Sequence, residues 1–219
     1  MKRSVVLLSG GLDSAANLGI AFEVGQPVLA LFVDYGQRAA SAERRASQAI
    51  AQYYGVPFEE LSLRWLGGLG GSALTDSNLD VPRLAADQLD SMEVTLQTAS
   101  RVWVPNRNGV LINCAAALAE RLGAEQVLLG FNREEAATFP DNGPEFMNSA
   151  TKALSFSTAN RCEAFSYTVD LDKRQIVAKL RTLRKKPFPF ELLWSCYHDG
   201  KNQCGQCESC QRLERALGA

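Results

Sequence analysis

The stretch VVLLSGGLDSAANL, residues 5–18, runs from an apolar segment through a glycine-rich turn into an amphipathic segment. Its apolar start is typical of a strand that is covered on both faces of a sheet. Gly10 and Gly11 would let the backbone approach an anion, which the positive end of a following helix favours. Ser9 and Ser14 add hydroxyl donors. The stretch therefore predicts a phosphate-binding cradle after the first strand, with an ordinary strand-to-helix turn as the alternative.

Asp13 lies within this cradle, defined here as residues 9–14. A carboxylate there would repel a phosphate unless it caps the helix or helps to hold a magnesium ion. The pattern is not a Walker loop, because no Gly-Lys-Ser/Thr follows, and the dinucleotide-binding spacing G-x-G-x-x-G is absent. The cradle therefore predicts a phosphate-binding loop that is neither a Walker loop nor a dinucleotide-binding loop.

Strand-like and helix-like segments alternate along most of the chain. The pattern predicts strands at 4–9, 27–36, 58–63, 125–131 and 164–169, and helices at 13–24, 41–54, 108–124, 144–155 and 172–183. Ser41 is the expected N-cap of the second helix, and Gly55 its stop. This alternation predicts an α/β fold, an open parallel sheet with helices on both faces.

Residues 66–106 interrupt the alternation with a glycine-rich segment that has little strand character. A loop of this length inside a compact domain is typically functional, partly mobile, or both. We therefore expect a long functional loop here.

Composition and charge describe a protein of ordinary globular character. The 219 residues carry 23 Lys and Arg against 24 Asp and Glu, so no global basic field points to a nucleic-acid partner. No apolar run is long enough to cross a membrane, and the apolar start of the chain lacks a signal-peptide cleavage site. These features predict a cytoplasmic protein without a membrane partner. We expect a nucleotide-binding domain at 1–186 and a C-terminal segment at 187–219 packed on it.

That C-terminal segment, residues 187–219, is called the metal tail below. Cys196, Cys204, Cys207 and Cys210 are separated by seven, two and two residues, a spacing that predicts one tetrahedral, structural zinc ion. An iron–sulfur cluster is a rival, although the x3-C-P that completes the ferredoxin pattern is missing. Four free cysteines are the other alternative. His198 could replace a ligand but is more typical of a surface or substrate-facing residue.

Short motifs along the whole chain carry a family resemblance. SGGLDS matches the SGGxDS loop of the PP-loop ATP pyrophosphatases, and within that group the chain resembles the QueC family of 7-cyano-7-deazaguanine synthases. The other matching motifs are DYGQR (34–38), SALT (72–75), VPNRN (104–108), PEF (144–146), WSCY (194–197) and CGQCESC (204–210).

The resemblance implies an adenine nucleotide alpha hydrolase-like fold and an ATP-dependent ligase. Such an enzyme adenylates 7-carboxy-7-deazaguanine, releases AMP and pyrophosphate, and converts the acid with ammonia, through an amide, to the nitrile at a cost of two ATP. The implied cofactors are ATP, Mg²⁺ and Zn²⁺, and the implied assembly is a homodimer.

The resemblance also implies roles for single residues. Asp13, Arg107 and Lys173 are the expected catalytic residues. Arg38 and Arg107 are expected to bind ATP together with the cradle residues Ser9, Gly10, Gly11, Asp13 and Ser14. Asn132 and Asp141 are expected to contact the deazaguanine. The alternatives are solvated surface positions for the cationic side chains and a turn aspartate at 141.

The chain departs from the family pattern mainly within GFNREEAATFPDNGPEF, residues 130–146. The departures are Ala39 for histidine, Glu135 for aspartate, Ala137 and Thr138 for Ser-Gly, Asn142 and Gly143 for Cys-Arg, and Leu213 for arginine. They leave two further hypotheses. One is a paralogue that transfers the activated deazaguanine to an amine of a protein or nucleic acid in a DNA-modification or anti-phage system. The other is a non-catalytic zinc-binding interaction module.

Overall fold

The computed structural model describes residues 1–84, 88–89 and 91–218. Its strands are β1 (Arg3–Leu7), β2 (Gln26–Asp34), β3 (Phe58–Ser62), β4 (Gln126–Leu128) and β5 (Glu163–Phe165). Its α-helices are α1 (Leu12–Val24), α2 (Ala40–Tyr54), α3 (Met92–Arg101), α4 (Arg107–Leu122), α5 (Arg133–Ala136), α6 (Pro144–Ser157), α7 (Lys173–Leu180) and α8 (Glu208–Leu217).

The strands form one parallel sheet in the order β3-β2-β1-β4-β5. β1 lies at its centre, where Val5 is in register with Leu29 of β2 and Val127 of β4. The strand order reverses between β1 and β4, and in open parallel sheets such a reversal opens a crevice at the carboxyl ends of the strands. The sequence-based prediction of a parallel sheet is confirmed.

Helices cover both faces of this sheet, as predicted. Val6 of β1 packs into an apolar core that includes residues of α1, α2, α7 and α8. Its neighbour Val5 points the other way, into a second core that includes residues of α4 and α6. Both valines are fully buried, which explains why β1 reads as a continuous apolar run rather than an alternating one.

The prediction of a loop throughout 66–106 is wrong for residues 92–101, which form α3. Ser91 caps this helix by accepting a hydrogen bond from the Val94 amide. The buried residues of α3 are Thr95, Thr98 and Ala99, so the helix has no large apolar stripe that periodicity could reveal. Residues 85–87 and 90 of the predicted loop lie outside the described part of the chain.

Element ends differ from the predictions for local reasons. Ser41 is not an N-cap, because α2 already begins at Ala40, whereas Gly55 ends the helix in the left-handed region (φ +68°) as expected. β5 stops at Phe165, earlier than predicted. Beyond it the hydroxyls of Ser166 and Thr168 donate to the Phe131 carbonyl, which turns the chain out of the sheet.

The metal tail shares the core of the rest of the molecule. Phe188, Leu193, Leu213 and Ala216 belong to the same buried cluster as α1, and α8 packs on α7. Among the described residues, no helix is long and apolar enough to span a bilayer.

Candidate functional site

A cavity of about 300 Å³ opens at the carboxyl ends of β1, β2 and β4. The cradle, the first turns of α2 and α4, α5, and the metal tail contribute to its walls. The site therefore lies at the crevice that the strand order creates.

The two glycines of the cradle have different roles. Gly10 has φ +81°, and a Cβ there would lie 2.7 Å from the Ala46 Cβ, so α2 packs directly on this residue. Gly11 has φ −73° and space for a Cβ, and it lines the cavity. The expectation that both glycines serve close approach to an anion is therefore corrected: Gly10 makes room for α2.

The two serines of the cradle also differ. Ser14 Oγ accepts from the Ser9 amide at 3.2 Å and lies 3.1 Å from the Gly11 carbonyl, to which it donates. It thereby fixes the shape of the loop. Ser9 is exposed, and its Oγ is 3.1 Å from Ser14 Oγ. Both residues line the cavity, Ser9 ahead of α1 and Ser14 within its first turn.

A buried ion cluster joins the cradle to α5 and α7. Lys173 Nζ lies 2.5 Å from Asp13 Oδ2 and 2.9 Å from Glu135 Oε1. Lys173 is 7% exposed, so the alternative of a solvated surface lysine is wrong. Burial by itself would lower the pKa of Lys173, but the charges of Asp13 and Glu135 outweigh it and leave the pKa raised. Lys173 therefore stays protonated between its two carboxylates.

Asp13 keeps one oxygen free for a further partner. Its Oδ1 is buried and accepts no hydrogen bond from the described residues. Burial raises the pKa of Asp13 against the opposing charge of Lys173. The N-cap of α1 is Gly11, so Asp13 is not the cap of this helix. An unsatisfied buried carboxylate oxygen beside a phosphate-type loop fits a divalent cation.

Arg107 enters the cavity from the start of α4. The preceding Asn106 adopts φ +51° at the N-cap. The Arg107 guanidinium lies over the Tyr35 ring, 5.6 Å from its centroid, and Nη1 donates to the Tyr35 hydroxyl at 3.4 Å. Arg107 is thus held against the wall of the cavity, where a cation can meet an anionic ligand.

Arg38 also lines the cavity, but its guanidinium is engaged. Nη1 donates to the backbone carbonyls of Ala73 at 3.2 Å and Leu79 at 2.7 Å. It therefore holds the 72–79 segment over the end of β2, and its predicted contact with ATP stays a prediction.

The two residues expected at the substrate do not line the cavity. Asn132 caps α5 by accepting from the Glu135 amide at 3.0 Å, while its buried Nδ2 lacks a partner within the described residues. Asp141 accepts from Asn108 through its backbone carbonyl. From the same segment, Thr138, Phe139 and Asn142 line the cavity instead.

This placement bears on the departures from the family pattern. Ala137 is exposed, and neither Ala137 nor Gly143 contributes to the lining. Glu135, which replaces an aspartate, keeps its carboxylate on Lys173. Of the departures, Glu135, Thr138, Asn142 and Leu213 line the cavity, whereas Ala137 and Gly143 do not.

The four cysteines of the metal tail form one cluster. All four Sγ atoms lie within 4.8 Å of one another, with 3.9 Å between Cys204 and Cys210 and 4.0 Å between Cys196 and Cys207. Backbone amides also donate to sulfur, two of them to Cys196 at 3.4 Å. This donor set fits a single metal ion, and His198 is not part of it.

The metal tail also builds one wall of the cavity, which sequence reasoning missed. Glu208 and Arg212 line the cavity and pair at 2.8 Å, and Arg212 reaches Glu134 of α5 at 3.5 Å. The i, i+4 spacing of Glu208 and Arg212 is visible in the sequence, but it is typical of any exposed helix face. Leu213, which replaces an arginine of the family pattern, is buried and borders the cavity, and the adjacent Arg212 brings a guanidinium to the same wall.

Comparisons with known proteins cover the whole molecule. The family model described as "Queuosine biosynthesis protein QueC" matches residues 3–219. The 7-cyano-7-deazaguanine synthase of Desulforamulus reducens is 49% identical over 98% of this chain and 92% of the relative. The synthase of Bdellovibrio bacteriovorus is 47% identical over 100% of this chain and 94% of the relative.

Solved structures are more distant. The match to NMN synthetase from Francisella tularensis covers 98% of this chain and 83% of the synthetase chain, with a TM-score of 0.49 and 12% sequence identity. This similarity is too low to inform function.

Proposed function

The chain belongs to the QueC family, and on that premise we propose that it converts 7-carboxy-7-deazaguanine to 7-cyano-7-deazaguanine with ATP and ammonia. The observation that carries the proposal is the 47–49% identity to synthases of that name over nearly all of both chains. The chain is thus an ATP-using enzyme. Its classification as a ligase that releases AMP and pyrophosphate is part of the proposal.

ATP binds with its phosphates at the cradle. The hydroxyl of Ser9, the backbone at Gly11 and the first amides of α1 supply donors at the positive end of the helix dipole. Ser14 holds the loop in shape, as its bonds to Ser9 and Gly11 indicate. Arg107, which also lines the cavity, binds the substrate carboxylate or the α-phosphate and aligns the two reacting groups. Such alignment is the main requirement of adenylyl transfer.

Asp13 and Glu135 would hold Mg²⁺ near the phosphates, with the free Oδ1 of Asp13 as the observation that supports this assignment. When bound, the ion neutralises phosphate charge. Lys173 keeps both carboxylates fixed and balances part of their charge before ATP arrives. This arrangement favours catalytic roles for Asp13 and Lys173.

The metal tail holds Zn²⁺ in a structural site. A tetrahedral zinc with bonds of about 2.3 Å sets sulfur–sulfur distances near ~3.8 Å, close to the 3.9 and 4.0 Å found here. An iron–sulfur cluster has several irons and would spread the sulfurs further apart. The geometry supports one ion, and zinc is the ion that four cysteines typically bind as a closed structural site.

The deazaguanine lies against the segment that carries Thr138, Phe139 and Asn142. Phe139 offers an aromatic face or edge, and the Asn142 amide offers a donor and an acceptor for a heterocycle. Contacts from Asn132 and Asp141 stay predictions, as do the homodimer, the cytoplasmic location, and the boundary between 1–186 and 187–219.

Neither alternative function gains support. The proteins named above are synthases rather than transferases to macromolecules. A non-catalytic module would not need the buried Asp13–Lys173–Glu135 cluster beside the cradle.

Nucleotide analysis tests the proposal. Purified enzyme is incubated with ATP and Mg²⁺, with and without the acid, and nucleotides are separated chromatographically. We expect AMP and pyrophosphate in equal amounts, and only with the acid. Release of ADP and phosphate would contradict the assignment of the cradle, and release of AMP without the acid would contradict the substrate.

A further inference from the structure

One carboxylate in the cavity differs from the others by having no cationic partner. Among the described residues, five carboxylates line the cavity: Asp13, Glu43, Glu134, Glu135 and Glu208. Asp13 and Glu135 pair with Lys173, and Glu134 and Glu208 pair with Arg212. Glu43 forms no ion pair within the described part of the chain. Of these five carboxylates, it is therefore the one that can take up a proton without breaking an ion pair.

The fold places Glu43 next to the cradle. It lies in the first turn of α2, and its carbonyl oxygen is 3.2 Å from the position that a Cβ of Gly10 would occupy. Its Oε2 accepts from Gln37 Nε2 at 2.9 Å. Gln37 is itself fixed, because its amide donates to the Val33 carbonyl and accepts from the Tyr35 amide.

This network holds Glu43 by one oxygen only. The other oxygen makes no hydrogen bond with described residues, and the side chain borders the cavity. The locked Gln37 amide therefore orients the carboxylate while leaving one oxygen to meet a ligand.

The groups around Glu43 tune it toward proton transfer near neutral pH. Burial raises the pKa of Glu43 to about 7, while the hydrogen bond from Gln37 and the charge of Arg107 oppose the rise. Asp34 adds a small further increase, and the Tyr35 phenol faces the carboxylate from the end of β2. A carboxylate with this pKa can accept and release a proton at the pH of the reaction.

We propose that Glu43 is the proton acceptor when ammonia attacks the adenylated acid, a role that rests on the proposed function. The nitrogen lone pair forms the C–N bond, and the C–O bond to AMP breaks with its electron pair. One N–H proton passes to the free oxygen of Glu43 and then to water. The products are the amide, AMP and one proton.

The other titratable groups are less suited to this step. Protonation of Asp13 or Glu135 would weaken the cluster around Lys173, and Lys173 itself is protonated and has no free electron pair. Glu134 and Glu208 are neutralised by Arg212.

The experiment separates adenylation from amide formation in Glu43→Gln, Glu43→Asp and the control Glu145→Gln. Glu145 is exposed and lies outside the cavity lining. Exchange of labelled pyrophosphate into ATP with the acid reports adenylation, and mass spectrometry after addition of ammonia reports the amide. The melting temperature of each variant confirms that it is folded.

We expect Glu43→Gln to keep pyrophosphate exchange within about threefold of wild type and to slow amide formation about 100-fold or more. Glu43→Asp retains a carboxylate and should recover part of the rate, and Glu145→Gln should match wild type. At a constant concentration of uncharged ammonia, the wild-type amide rate should rise with pH through about 7, because deprotonated Glu43 is the active form. The Gln variant should lose that rise.

Two results would overturn the proposal: amide formation by Glu43→Gln at the wild-type rate, or an equal loss of exchange and amide formation. Failure of the proposed function looks different, because the wild-type enzyme would then show no exchange with the acid at all.

Discussion

The cradle and the metal tail line the same cavity but are held in place in different ways. The cradle comprises the turn after β1 and the first residues of α1, and it is fixed by backbone conformation, by Ser14 and by the close packing of Gly10 on α2. The metal tail contributes Trp194, Tyr197 and part of α8 to the cavity lining, and its four cysteine sulfurs lie close enough together to hold one metal ion. The first wall follows directly from the sheet, whereas we propose that the second also depends on a bound metal ion.

A backbone hydrogen bond joins the two walls, in which the Trp194 amide donates to the Gly10 carbonyl at 2.9 Å. Packing of Leu193 and Leu213 into the core secures the metal tail on either side of the cysteines. Removal of the proposed metal ion should leave the shape of the cradle intact and loosen the segment between these two leucines.

Cys207→Ser should have the largest effect, because it removes a buried ligand from the metal cluster. We expect loss of bound zinc, a stability lower by about 3 kcal/mol or more, which is roughly 10 °C in Tm for a chain of this size, and loss of most activity. Elemental analysis measures the bound zinc, and thermal unfolding measures the stability. Cys114→Ser is the matched control, since Cys114 lies on α4 outside the cluster, and it should keep a full equivalent of metal.

Purified wild-type protein that contains iron, or less than about half an equivalent of any metal, would contradict a single-ion zinc site. Unchanged stability in Cys207→Ser would show that core packing alone holds the metal tail.

Asp13→Asn should act on chemistry rather than on the fold of the cradle. The free Oδ1 is the atom proposed to hold magnesium, and its effect should be greatest as charge develops during transfer. We expect turnover to fall about 100-fold while ATP affinity changes less than about fivefold. Steady-state kinetics and equilibrium nucleotide binding test this split. Equal losses of turnover and of ATP affinity would contradict a role of Asp13 in the transition state.

Gly10→Ala and Gly11→Ala form a matched pair within the cradle. An alanine at 10 would clash with Ala46 and require positive φ, whereas position 11 has room and an ordinary φ. We expect Gly10→Ala to cost about 2 kcal/mol, or roughly 5 °C in Tm, and Gly11→Ala to change Tm by less than about 1 °C. Thermal unfolding checks both, and the reverse order would mean that α2 does not fix the cradle.

The same contrast explains which features the sequence could predict. The cradle and the sheet could be predicted from local sequence pattern. VVLLSGGLDS indicates a buried strand, a turn and the start of a helix within a few residues. The cysteine cluster also follows from spacing, since four thiols so close in sequence can meet around one ion.

The ion pairs that join the cavity lining could not be predicted from local pattern, because they link segments that are distant in the sequence. Lys173 reaches Asp13 across 160 residues, and Arg212 reaches Glu134 across 78. No local pattern distinguishes Lys173 from a solvated lysine on a short helix. Glu43 was missed for a related reason: its importance lies in the absence of a cationic partner, which only the folded chain reveals.

Whether this chain completes nitrile synthesis is tested by following, by mass, the products formed from 7-carboxy-7-deazaguanine with ATP, Mg²⁺ and ammonia. We expect full conversion to the nitrile, with the amide as a transient species and two AMP formed per nitrile. Accumulation of the amide, or release of AMP only when a protein or nucleic-acid amine is supplied, would contradict the claim that this one cavity completes both activation steps.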